Sequence, residues 1–383
     1  MKVDLVDIHT QTVKKKLLIY GITWREPRNA VFMHYLSRYF DILVVTRDPL
    51  DGQLLKLAAP AEFKMEKFIF SSKIGFGFSP NLKRIARGFK PDVILSLETH
   101  SLAAYQSVRL AKELGIRSAV FTWQNVDTIP KYFIQKLPQQ YVIRNADHFL
   151  AGSSDALRYL TAMGADRKKI SVIPETGFDP RIFTQEGDNY REQWGFEKKD
   201  YVVLFAGRLV AEKGVDDILA TVRYFSTRHN EIKFVFVGSG PLSDVVANSG
   251  LSNVSYKGRF NFVDMGNVMR SCDLFLYPSY STKYWVEQFG YAPIEAIACG
   301  SPSIVSESGT LKQLIQPGKN GSIIPEHSVD GLQREISVWY EKWRNNEVNV
   351  DVSGIQIHRA ENVAHTYFQI LGNNCKNETL IQP

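Results

Sequence analysis

The stretch Phe205-Ala206-Gly207-Arg208-Leu209-Val210-Ala211-Glu212-Lys213-Gly214 runs from an apolar strand pattern through a loop into a helix pattern. Gly207 permits a tight turn, and Arg208 and Lys213 bring two cations to the end of the strand. The helix start that follows adds free N–H groups and the positive end of a dipole, a combination that suits a diphosphate. An ordinary solvated loop would carry the same two cations equally well. Downstream, Glu287 and Glu295 stand eight residues apart. Glu287 falls in a loop and Glu295 more than a turn inside a helix, so both can face one pocket from different heights. A carboxylate accepts two hydroxyls at once, which fits the diol of a ribose or hexose. Phe289, Gly290 and Tyr291, at the helix start, would expose backbone N–H groups to an anion or a sugar oxygen. Glu295 is surrounded in sequence by Ala292, Ile294, Ala296, Ile297 and Ala298, and a carboxylate on so apolar a helix requires a partner. The segment Cys299–Gly309 then ends the helix at Gly300 and restarts as a strand after Pro302. Its polar loop fits the passage of a pyrophosphate or sugar, and equally any helix-to-strand connection.

These residues need a scaffold, and the chain alternates short apolar runs with helical periodicity. In the first half, 16–22, 42–46, 93–97, 118–122, 148–151 and 170–173 read as strands, with helices expected over 28–39, 80–88, 102–114, 131–144 and 154–163. In the second, 201–206, 233–238, 254–256, 274–277, 303–305 and 321–324 read as strands. The clearest helix is 214–229, whose Val215, Ile218, Leu219, Val222 and Phe225 fall on one face. Apolar strands separated by helices predict parallel sheets covered on both sides. The fold class expected is α/β, with two tandem doubly wound, Rossmann-like domains facing a cleft. The boundaries read as 1–180, 181–354, a final helix 355–371 and a polar tail 372–383. In such folds ligands bind at the carboxyl ends of strands.

Composition narrows the setting. The 383 residues are 44% hydrophobic and 22% charged, which excludes disordered and collagen-like chains. Cys272, Cys299 and Cys375 are too few and too far apart for a disulfide framework or zinc ribbon. Residues 1–10 do not resemble a secretory signal, and no apolar run reaches about 18 residues. A cytoplasmic location is the expectation, and the sequons at Asn253 and Asn377 read as chance matches. Residues 1–180 hold 26 Lys/Arg against 17 Asp/Glu, a net +9, whereas 181–383 hold 20 against 23, a net −3. The basic half suits an anionic partner or is a solvated basic face. Lys14–Lys16, Lys83, Arg84, Arg87, Lys90 and the stretch 131–136 supply it, and peripheral contact with an anionic membrane would use them.

Taken together, the Gly207–Gly214 stretch, the Glu287/Glu295 pair and the run Ala296–Pro302 resemble, in order, the donor half of the family 4 retaining nucleotide-sugar glycosyltransferases, which have the GT-B fold. Ser171–Asp179 resembles the segment leading into that half. The resemblance covers about residues 140–325. It implies that Arg208 and Lys213 hold the donor diphosphate and stabilise the leaving group, and that Glu295 binds the ribose hydroxyls. It gives Glu287, with the Phe289–Tyr291 backbone, the transferred sugar, and puts Gly238-Ser239-Gly240 and Gly258-Arg259 near the base. It implies a UDP-, GDP- or ADP-sugar donor, a glycan or lipid-linked acceptor, and no cofactor or metal, since the cations do that work. Neither an Asp-x-Asp pair nor a His/Cys cluster occurs in the sequence.

The first half departs from the family pattern. A single Gly21 stands where many members carry Gly-Gly, and Trp123-Gln124-Asn125 stands where many carry a His. Gln124 or Asn125 could bond an acceptor hydroxyl, and Trp123 could stack on a sugar or simply pack beside a turn. Glu98 and His100, just past the strand 93–97, sit where an acceptor site is expected, with His100 as a base or a structural histidine. Two other readings stand beside this one. A non-catalytic sugar- or nucleotide-binding protein would share the fold. A nicotinamide-dependent oxidoreductase would need the third Gly that Gly238-Ser239-Gly240-Pro241-Leu242-Ser243 lacks. The interleaving of basic and aromatic residues typical of RNA modules is missing, so no nucleic-acid partner is expected.

Overall fold

The computed structural model describes residues 14–21, 26–46, 52–66, 77–124, 133–283 and 285–372. The first sheet consists of β1 (Lys15–Tyr20), β2 (Phe40–Thr46), β3 (Glu62–Met65), β4 (Val93–Leu97), β5 (Arg117–Thr122), β6 (His148–Ala151) and β7 (Ile170–Val172). Its strands lie in the order β3-β2-β1-β4-β5-β6-β7, all parallel. The second contains β8 (Tyr201–Ala206), β9 (Ile232–Val237), β10 (Val254–Tyr256), β11 (Leu274–Tyr277), β12 (Ser303–Ser306) and β13 (Gly321–Ile324). Their order is β10-β9-β8-β11-β12-β13, again all parallel. These are the two doubly wound domains expected. Every residue of β8, β4, β11 and β12 is buried, because helices cover both faces. Strand order reverses between β1 and β4 in one sheet and between β8 and β11 in the other, and a crevice opens at each reversal.

Local physics accounts for the elements near the crevices. Helix Val215–Ser226 buries Val215, Ile218, Leu219, Val222 and Phe225, the face expected from its spacing. Gly214 starts it in the left-handed region (φ 73°), and a Cβ there would lie 2.2 Å from the Pro278 carbonyl. That close approach draws the loop after β8 onto the loop after β11.

Two elements, helix Gly52–Ala58 and edge strand β3, carry patterns too short to read from sequence. The last helix is shorter than expected. Residues Ser353–His358 wind as a 3₁₀ turn, and the α-helix spans Ala360–Gly372. At Arg359 the backbone is extended, and Phe178 bridges it: Phe178 N donates to His358 O at 3.0 Å and Ala360 N to Phe178 O at 2.8 Å. Helix Ala360–Gly372 then packs on the first domain. Phe32 meets Tyr367 edge-on at 5.1 Å, Tyr39 stacks on Phe368 at 5.0 Å, and Arg117 Nη1 donates to Leu371 O at 3.1 Å. One apolar cluster runs from Leu17 and Phe32 through Trp123, Phe178 and Phe289 to Tyr367, so the two domains share a core. Asn125, Cys375, Asn377, the loop 22–25 after Gly21, residues 131–132 of the basic–aromatic stretch and the tail beyond 372 lie outside the described residues.

Candidate active site

The mouth of the second sheet is built from backbone as much as from side chains. Gly207 follows β8, Gly238 follows β9 and Gly258 lies just past β10. Gly207 N donates to Val237 O at 3.0 Å and Gly238 N to Gly258 O at 2.7 Å. Gly238 sits at φ 132°, and a Cβ on it would fall 1.8 Å from the Gly207 carbonyl. Only glycine lets these strand ends approach so closely. The structure thus brings Gly207, Gly238 and Gly258 together. Arg259 is exposed at their margin. Arg208 also stands open, with its side chain 64% exposed and a guanidinium 3.7 Å from Glu212.

Lys213 is the opposite case. It closes a 3₁₀ turn, Ala211–Lys213, and is 6% exposed. Its Nζ donates to Glu287 Oε2 at 2.5 Å and to the Tyr277 hydroxyl at 2.7 Å, and lies 4.6 Å from the Trp285 ring centroid. Burial pulls the Lys213 ammonium below its ordinary pKa, while Glu287 holds against that pull. Burial also drives the Tyr277 hydroxyl well above its ordinary value, so that hydroxyl stays protonated. The loop after β12 supports Glu287 from behind. A Cβ on Gly309 would lie 2.0 Å from the Glu287 carbonyl, and Thr310 Oγ1 donates to Gln288 O at 2.8 Å. The segment Cys299–Gly309 therefore does more than connect: it sets the height of Glu287.

Gly290, at φ 76°, turns the chain into helix Tyr291–Ala298, on which Glu295 is 3% exposed. The partner it required is Arg28, which reaches across from helix Pro27–Leu36 of the first domain. Arg28 Nη2 and Nε donate to Glu295 Oε1 at 2.5 and 3.2 Å. The guanidinium lies 4.3 Å from the Tyr291 ring centroid. Burial opposes the Arg28 charge, but Glu295 outweighs it and holds the pKa above its ordinary value. Sequence reasoning called for a partner here but could not say which, because Arg28 and Glu295 are 267 positions apart.

Next to Arg28, Asn29 Nδ2 donates to Glu175 Oε1 at 3.3 Å, and Trp123 Nε1 donates to Glu175 Oε2 at 2.7 Å. Glu175 is a further site residue that sequence reasoning missed. Burial, with Glu98 adding to it, pushes its carboxyl up to about 7, against the hydrogen bonds from Trp123 and Asn29 and the Arg28 charge. Phe289 closes this region, with its ring 6.1 Å from Trp123, 4.7 Å from Tyr291 and 5.1 Å from His358.

At the mouth of the first sheet Glu98, His100, Trp123 and Gln124 lie in one bonded network. Glu98 follows β4 at φ 58°, a conformation uncommon for a residue with a Cβ. Its Oε2 accepts from Thr122 Oγ1 at 2.7 Å and its Oε1 from Trp123 N at 3.1 Å, so both oxygens tie β4 to β5. Trp123 is 9% exposed, its indole seated where a Cβ on Gly152 would come within 2.2 Å. It packs as a wall rather than standing open. Gln124 Oε1 takes a bond from Gln139 Nε2 at 3.2 Å and lies 3.3 Å from His100 Nδ1 and 3.4 Å from Thr99 Oγ1. Gln139, 1% exposed, also donates to Thr99 Oγ1 and Tyr159 OH, each at 3.0 Å. Nothing in the sequence marks Gln139, since one glutamine in an amphipathic helix has no distinguishing pattern.

Two family models match consecutive parts of the chain: glycosyl transferases group 1 over residues 186–351 and a glycosyl transferase 4-like domain over 58–176. Over both halves the chain is similar to the family 4-type glycosyltransferases. A D-inositol 3-phosphate glycosyltransferase of Mycobacterium marinum is 27% identical over 244 residues, 60% of this chain and 47% of that protein. The chain thus spans about half the length of the curated relatives it matches. Among solved structures, Anabaena HepE in complex with UDP and glucose superposes with a TM-score of 0.71 at 17% identity, covering 94% of this chain and 99% of that one. A putative UDP-N-acetylglucosamine 2-epimerase from Listeria monocytogenes superposes at 0.64 with 15% identity, covering 96% and 100%. At such identities the likeness establishes the GT-B fold alone. Among the described residues no helix is long and apolar enough to cross a membrane.

Proposed function

We propose that this protein is a retaining glycosyltransferase that moves a sugar from a nucleotide-diphosphate sugar to an acceptor hydroxyl in glycan, glycolipid or polysaccharide assembly. The observation that carries the reading is the buried Lys213–Glu287 pair beside the open Arg208, at the mouth of a sheet where Gly238 lets the strand ends close on each other. As the bond between sugar and diphosphate breaks, charge develops on the leaving phosphate. In this reading Arg208 and Lys213 stabilise it, because fixed cations in a water-poor site lower such a barrier. Glu287 then orients the sugar and Glu295 the ribose diol. Because cations of the chain meet the diphosphate, the reading needs no divalent metal. UDP is the first nucleotide to test, because a protein of this fold holds UDP and glucose.

Glu98 is committed to backbone and Thr122, so the acceptor would meet His100 and Gln124 instead, with Gln139 holding Gln124 from behind. A lipid-linked acceptor on an anionic membrane fits the basic helix Leu82–Phe89, where Lys83, Arg84 and Arg87 are exposed although Lys83 and Arg87 also pair with Glu113.

Calorimetry of UDP, GDP, ADP and their common sugar conjugates in EDTA, with NAD as control, tests the donor. One nucleotide should bind without metal, and its sugar conjugate should turn over to a product whose anomeric configuration, read by NMR, is that of the donor. Binding without turnover on any acceptor would mark a binding protein, and binding of NAD alone would overturn the reading.

A further inference from the structure

Among the described residues, Arg28 is the one residue of the first domain that makes an ion pair with a candidate donor residue of the second, and the geometry of that contact is one-sided. Both of its hydrogen bonds go to Glu295 Oε1. Oε2 accepts neither, although Glu295 is 3% exposed and its carboxylate faces Arg28 of the first domain. A buried glutamate held through one oxygen has lost most of its rotamer freedom and keeps the other oxygen for a ligand. Arg28 is itself fixed, with its guanidinium 4.3 Å from the Tyr291 ring and 5.6 Å from that of Phe262. Tyr291 is anchored in turn, its hydroxyl accepting from Thr176 N at 3.1 Å.

We infer that Arg28 is a positioning residue for the donor: it clamps Oε1 of Glu295 from across the cleft and leaves Oε2 for the ribose hydroxyls. The inference rests on the proposed function and adds a consequence. Nucleotide held on the second domain depends on a side chain of the first, so donor affinity is coupled to the way the two domains meet. A clamp of this kind acts on the ribose and not on the diphosphate, which sets it apart from Arg208 and Lys213. It also sets it apart from a general stabilising contact, which would weaken every nucleotide alike.

Calorimetry on the full chain with UDP, GDP and ADP first identifies the nucleotide that binds. That nucleotide and its 2′-deoxy form are then compared in wild type, Arg28→Ala and Arg28→Lys. The deoxy form should bind wild type about tenfold more weakly, the scale of one hydrogen bond to a charged group. Arg28→Ala should weaken the hydroxylated nucleotide by a similar factor and shrink the deoxy penalty to within twofold. Arg28→Lys should restore part of both, since an ammonium can still hold one oxygen. In turnover, KM for the donor should rise more than kcat falls. Wild-type affinity in Arg28→Ala, or an equal loss for both nucleotides, overturns the clamp and leaves the functional reading standing. Failure of wild type to bind any of the three overturns both. If Arg28→Ala does not fold, Arg28→Lys and Arg28→Gln, which keep the side-chain stem, carry the same comparison.

Discussion

The mouths of the two sheets are made by the same topology and filled in different ways. In the second, charges dominate: Lys213 and Glu287 are both about nine-tenths buried against each other, and Arg208 waits in solvent a few residues away. In the first, Glu98 has both oxygens occupied by Thr122 and Trp123, and beside it lies a network of amides and hydroxyls centred on Gln124 and Gln139. A charged ligand such as a diphosphate suits the first kind of mouth, and a neutral polyol suits the second. The difference teaches that one fold can separate two substrates by charge, with no change in its strand order. Where the halves meet, Arg28 and Asn29 carry polar contacts from one helix across to Glu295 and Glu175.

The sharpest way to break this contrast is Lys213→Ala. Losing one fixed cation at a leaving group should cost about 3 kcal/mol of transition-state stabilisation, or roughly a hundredfold in turnover. Because Glu287 is then a buried charge without its partner, stability should also fall by about 3–5 kcal/mol in denaturant titration. Arg208→Ala should slow turnover while moving stability by no more than about 0.5 kcal/mol, since its pair with Glu212 is long and exposed. Equal effects of the two changes on stability would erase the distinction between a buried and an open cation.

Glu175 gives a smaller effect, read through pH. Its carboxyl titrates at about 7 when folded, against 4.5 ordinarily, chiefly because of burial, so the folded chain binds that proton more tightly. The stability this provides is fully present below pH 4.5 and is lost as pH rises through about 7, amounting to at most about 3 kcal/mol. Glu175→Gln removes the titration. The difference in Tm between the variant and wild type should therefore swing in the variant's favour from pH 5 to pH 8. A constant difference would show that Glu175 ionises as it does in water.

The smallest effect is expected at Gln139. Gln139→Leu keeps the volume and removes the two amide N–H groups that Thr99, Gln124 and Tyr159 share, leaving Thr99 and Gln124 short of a donor at a cost of about 1–3 kcal/mol. Donor affinity should be unchanged and acceptor KM raised. A change in nucleotide binding instead would mean that the neutral mouth serves the donor.

How much was legible follows from how far each signal reaches along the chain. Strands such as Val93–Leu97 and Leu274–Tyr277 match their expected bounds because an apolar run between helical patterns is a local property. Edge strand Glu62–Met65 was silent because it is short and carries charge. The last helix was read as starting at Ile355 because its apolar spacing continues that far. What stops it is the bridge from Phe178 to Arg359, a contact between distant residues. The proposed donor residues stood out because charge at fixed spacing around glycine is a local motif, whereas Gln139 and Glu175 are ordinary residues until the fold surrounds them.

By itself, the sequence determined the two parallel sheets, the cations at Arg208 and Lys213, the carboxylates at Glu287 and Glu295, and the demand that Glu295 find a partner. All of these follow from periodicity and from the cost of burying a charge, which act residue by residue. Only the tertiary structure decided which charges neutralise each other. It joined Lys213 to Glu287 and Arg28 to Glu295, because Coulomb attraction depends on distance in space and chain folding sets that distance.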